Sequence, residues 1–122
     1  MEIINAKDTH EVIGCSKETE TKGWFAWNNL MPPGPPSFYV KGLVQVSNPG
    51  VFAQLVYKVP QGINPDILLL DLVLIQRPGI WPRPLTWVEA RYHSTGVDLK
   101  YTDVNIFCGD QLIAEIPVQD IH

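Results

Sequence analysis

At 122 residues the chain has the length of one domain, and residues 1–122 are read as a single unit. With 45% hydrophobic and 18% charged residues, the composition excludes a disordered chain. A net charge of −4 and a pI of about 5.2 argue against nucleic acid or an anionic membrane as the main partner and leave basic partners open.

The first residues show no basic segment followed by an apolar core, so no secretory signal is expected. Residues 2–6 and 11–16 read as two short strands around a polar turn at 7–10. Residues 17–23 (KETETKG) read as a solvated loop, since a charged run buries nothing. Residues 24–27 (WFAW) are a dense aromatic patch with the look of a short strand. The stretch 28–36 (NNLMPPGPP) is excluded from helix and inner strand by its prolines and is expected to be a stiff surface loop.

Residues 37–47 alternate. Phe38, Val40, Val44 and Val46 fall on one face, Tyr39, Lys41, Leu43 and Gln45 on the other. Asn48, Pro49 and Gly50 have the order of a type II turn, which predicts a hairpin with a returning strand at 51–59.

Residues 67–76 (ILLLDLVLIQ) are the most apolar run and carry one charge, Asp71. Any compact fold must bury them, at roughly 1.5–3 kcal/mol for each fully buried large aliphatic side chain. Asn64-Pro65-Asp66 resembles a helix start, but a helix here would be apolar all round. A central strand is the preferred reading, and residues 65–77 as a buried helix is the alternative. The run is about half the ~20 residues needed to span a bilayer.

Residues 77–84 (RPGIWPRP) form a second rigid loop. Residues 86–93 alternate strictly, with Val88, Ala90 and Tyr92 opposite Trp87, Glu89, Arg91 and His93. A hairpin at 94–96 is expected to return through 97–108, where the alternation slips and a bulge near Thr102 and Asp103 would repair it. Gly109-Asp110 suits a type II′ turn into a strand at 111–118, with 119–122 as a polar tail.

Many short apolar segments between turn residues predict an all-β fold, an antiparallel sandwich or flattened barrel of hairpin-connected strands. Both the 67–76 run and the last hairpin look apolar on two faces, which predicts a covered second face and a homodimer.

No phosphate loop, zinc-type Cys/His spacing, HExxH, calcium loop or GxSxG is present, so no catalytic residue, metal or cofactor is assigned. His93, Ser94 and Asp98 lie too close along one hairpin to form a triad alone. Two cysteines are too few for a disulfide framework, and Cys15 and Cys108 are expected to be reduced, Cys108 as a small buried hydrophobe in a soluble cytoplasmic protein. Asp71 is expected to pair with Arg77 or Arg91, or across strands, with a stability loss of kilocalories on removal.

Trp81 sits in a Pro/Gly loop between Arg77 and Arg83, a composition suited to an interface hot spot or a sugar platform. Trp24 and Trp27 complete the candidate binding set. Three functions are carried forward. The first is a non-enzymatic protein-interaction module that binds a protein partner or a second copy of itself. The second is a small-molecule or carbohydrate-binding domain using Trp81 and the proline loops. The third is an enzyme assembled from Asp71, His93 or Cys108. Neither nucleic acid nor membrane is expected as a partner.

Overall fold

The computed structural model describes residues 11–16, 18–95 and 101–122. These residues form eight strands and no helix. They are β1 (Glu11–Ile13), β2 (Thr21–Asn29), β3 (Ser37–Val46), β4 (Val51–Tyr57), β5 (Ile67–Gln76), β6 (Thr86–Thr95), β7 (Asp103–Cys108) and β8 (Gln111–Ile121). The fold is all-β, and the sheet curls into a half-barrel.

The central run is a strand, as its pattern predicts. β5 pairs antiparallel with β4 on one side and parallel with β7 on the other, where β1 also docks. Leu68, Leu70, Leu72 and Leu74 point inward and are at most 5% exposed. From β7 the sheet continues through β8, β2 and β3 to β6. β8 joins the two walls: its first part pairs antiparallel with β7, and residues 118–121 pair parallel with β2. β4 and β6 then approach each other across the open side without forming a ladder.

The inward faces of β3 and β6 follow the alternation. Phe38, Val40, Val44, Val46 and Ala90 are buried, with Val88 and Tyr92 packed against them. Tyr101 lies beside Phe38, with ring centroids 5.4 Å apart. Burial raises the Tyr101 phenol above its ordinary pKa, with Tyr57 and Tyr92 adding to the shift.

Trp24 completes this core. The β2–β3 register shifts between Lys22 and Phe25, at a bulge containing Gly23 with φ of 68°. Opposite lies Gly42, and a Cβ built there would overlap the Trp24 ring. The bulge and the missing side chain together let the indole lie against the sheet, its Nε1 donating to Thr21 Oγ1 at 3.0 Å.

Several connections differ from expectation. Residues 37–47 and 51–59 are not a hairpin, since β3 pairs with β2 and β6 while β4 pairs with β5. The turn at Asn48 carries the chain from one wall to the other. Gly50 is not at positive φ, so the turn is not type II. Its glycine serves a close approach, because a Cβ at Gly50 would overlap the Trp81 ring. Likewise β6 does not pair with β7, which lies in the opposite wall. The expected turn at Gly96 and the start of the 97–108 strand fall outside the described residues, as do 2–6 and 7–10.

Tyr101 and Val104 both pack on the core, so the parity changes across Thr102 and Asp103, where the β7 ladder begins. The β7–β8 register shifts between Ile106 and Phe107, leaving Ile113 as the extra residue. Phe107 faces Leu112 and Cys108 faces Gln111, but Ile106 faces Ala114 and Val104 faces Ile116. The slip turns Ala114 and Ile116 toward the core side, so this hairpin is less two-sided than its sequence suggests. Gly109, with φ of 61°, supplies the expected II′ geometry. Two segments read as loops are partly strand: Thr21, Lys22 and Gly23 open β2, and Asn28 and Asn29 close it. The tail at 119–122 is β-paired through Ile121.

Candidate functional site

The two cysteines are joined. Cys15 and Cys108 form a disulfide with Cα atoms 5.4 Å apart, correcting the expectation of reduced thiols. The register explains the meeting. β1 runs antiparallel along β5 with Ile13 opposite Leu74, and β7 runs parallel with Phe107 opposite Asp71. Continued along the same edge, both strands bring a cysteine to the level of Leu72, and Cys15 Sγ lies 3.4 Å from the Leu72 carbonyl oxygen.

Asp71 points outward and pairs with neither arginine. Lys58, just past β4, reaches its Oδ1 at 2.9 Å and also donates to the Gly109 carbonyl at 3.1 Å. The pair is partly solvated, with side chains 22% and 32% exposed. Asp71→Ala should therefore cost only about 1 kcal/mol, because Lys58 keeps its carbonyl partner and water. Urea unfolding measures this; a loss above about 3 kcal/mol would mean a far drier pair. Asp71, His93 and Cys108 do not converge. Asp71 lies on the outside of the β5 wall, His93 on the opposite wall, and Cys108 is bonded to Cys15. Among the described residues no three His, Cys, Asp or Glu side chains gather as a metal site would require.

The sequence-derived binding residues divide into three places. Trp24 packs on the core. Trp81, Arg77 and Arg83 belong to the loop after β5. The Trp81 ring lies on Gly50 and its Nε1 donates to the Arg77 carbonyl at 3.0 Å. The Arg77 guanidinium sits 4.8 Å from the centre of the Phe52 ring. Trp81 and Arg83 border an open depression of about 510 Å³ shared with Asn48 and Gln76, whose amides bond each other at 2.9 and 3.2 Å.

Trp27 belongs to a more organised arrangement. β2, β3 and β6 are adjacent, and Trp27, Tyr39 and His93 are direct cross-strand partners in one outward row. Trp27 and Tyr39 stack at 5.0 Å and 15°; Tyr39 and His93 stack at 4.6 Å and 22°. Phe25 adds a tilted ring 5.2 Å from Trp27. The next row along the strands places Phe25, Lys41 and Arg91 side by side. Between the rows lies a groove of about 370 Å³, bounded by Trp27, Tyr39 and His93 on one side and Lys41 and Arg91 on the other. Arg91 Nε donates to Glu89, and Lys41 Nζ lies 5.8 Å from the Trp27 ring centre.

The alternation of β3 and β6 already put Tyr39 and Lys41 on one face and Arg91 and His93 on another. What it lacked was the β3–β6 pairing that makes those faces one. The fold and site define a half-barrel β domain with an aromatic and cationic groove on its outer wall. No family model matches the chain, nor does any curated protein or solved structure.

Proposed function

We propose that this protein is a non-enzymatic binding module whose recognition surface is the outer face of β2, β3 and β6, taking a sugar or another ring-bearing small molecule. The observation that carries this reading is the in-register row Trp27–Tyr39–His93 beside Lys41 and Arg91. A volume of about 370 Å³ suits a small ligand. The rings are held by neighbouring strands, so little ordering remains to be done on binding.

Trp27→Ala and Tyr39→Ala should each weaken such binding about tenfold while leaving the far-UV circular dichroism unchanged. Titration against a panel of oligosaccharides, followed by tryptophan fluorescence, tests this. Trp81→Ala and Arg83→Ala serve as comparators. If they abolish binding and the ladder variants do not, the depression at the loop end is the site instead.

A second reading, self-association, is favoured by the outer face of the other wall. Val12, Val56 and Leu112 are between 42% and 70% exposed there, next to the half-buried outward residues of β5. Light scattering at micromolar concentration should then give twice the monomer mass of 13.7 kDa, and Val56→Lys should return it to one. A monomeric mass for the unmodified chain removes this reading.

A further inference from the structure

The groove has two unlike walls, and the one facing the rings is cationic. Lys41 and Arg91 are cross-strand partners, one row along from Tyr39 and His93. Lys22 lies on β2 of the same wall, its Nζ 4.1 Å from the Trp87 ring centre. β2, β3 and β6 together carry three basic residues and a single acid, Glu89, in a chain of net charge −4. Glu89 is engaged by Arg91, while Lys41 has no carboxylate within 4 Å among the described residues. An acidic protein that gathers cations on one outer wall, two of them at the groove, presents a local potential there opposite to its overall charge.

Resting on the reading above, we infer that the ligand is an acidic oligosaccharide, a chain of pyranose rings bearing carboxylates. Its rings pack along Trp27, Tyr39 and His93, and a carboxylate meets Lys41 and Arg91. Charge complementarity selects the anion. The ring arrangement selects the sugar. Trp27, Tyr39 and His93 stand face to face along their row, so they offer the groove ring edges. A single-stranded nucleic acid needs open ring faces for its bases and a longer basic track. The rim of an aromatic ring is electropositive, so such an edge wall suits the hydroxyl and ring oxygens of a pyranose.

Calorimetric titration of the full chain with short oligogalacturonate, with its methyl ester and with oligothymidylate tests the inference. The acid should bind, and added salt should weaken it. The ester, uncharged and larger by one methyl at each carboxyl, should bind at least about tenfold more weakly. Lys41→Gln should weaken the acid about tenfold and leave the ester unchanged, and Lys41→Arg should retain binding. Equal affinity for acid and ester overturns the inference while leaving the groove as a binding site. Preference for oligothymidylate overturns it in favour of nucleic acid. If none of the three binds, the inference also falls. Binding of the acid that neither Lys41→Gln nor Trp27→Ala disturbs overturns the inference and the groove reading together.

Discussion

Replacing Cys15 and Cys108 together by serine is expected to lower the unfolding free energy by about 4 kcal/mol. The bridge spans 93 positions in the sequence, so it closes most of the chain into one loop and removes much of the freedom of the unfolded state. Its folded-state role is local. β1 has only three residues in register with β5, and Glu11 and Val12 are exposed. Without the bond, little holds Glu11–Ile13 against the edge of β5. Urea unfolding of the oxidised protein, the reduced protein and the double serine variant provides the measurement. The last two should agree, and amide exchange in β1 should accelerate in both. A midpoint unmoved by reductant would show that the two sulfurs are not bonded in solution.

Gly42→Val should be nearly as damaging, with a loss of about 3 kcal/mol. Gly42 is buried in the middle of β3, and any side chain there overlaps the indole of Trp24. A β-branched residue ordinarily favours a strand, so propensity alone predicts a gain. Close packing reverses the sign. Trp24→Ala should also destabilise, through the volume it empties. The double variant should lose less than the sum of the two, since valine occupies space the indole vacates. Additive losses would show that Trp24 and Gly42 do not share that space.

Much of the fold was legible because alternation is a local signal. The inward set on β3, the outward Trp87 and His93 on β6, and the strand at 67–76 all follow from period two and the need to bury leucine. Pairing was not legible. Asn48-Pro49-Gly50 says that the chain turns, but not which strand it then joins. A local rule assigned β4 to β3, whereas the half-barrel gives it to β5. Similarly, the slip of parity near Thr102 was visible in the sequence, but nothing announced the bulge at Ile113 that resets β8 against β7. The candidate site suffered from the same gap. Trp27, Tyr39 and His93 are 12 and 54 positions apart in the sequence and become one surface only through two strand pairings. Cys15 and Cys108 escaped for that reason too, since their meeting needs a parallel ladder between β5 and β7 that no turn announces. Trp81 shows the opposite limit. Its loop composition was read correctly, but the glycine that receives its ring lies 31 residues upstream, at Gly50.

The position of β8 has a consequence for how the molecule is made. β7 and β2 have no ladder to each other, and each is stitched to the sheet's other half through β8. A nascent chain that ends before residue 111 can close the β2–β3–β6 wall and the β4–β5–β7 wall, but nothing zips them together. Both apolar inner surfaces then wait uncovered until the ribosome has released the segment ending at Ile121. Pairings this distant in sequence are slow to find, and the waiting surfaces are those on which chaperones act. The groove on the outer face of β2, β3 and β6 belongs to the wall that can form before that closure, so the recognition surface can take shape while the domain as a whole is still open.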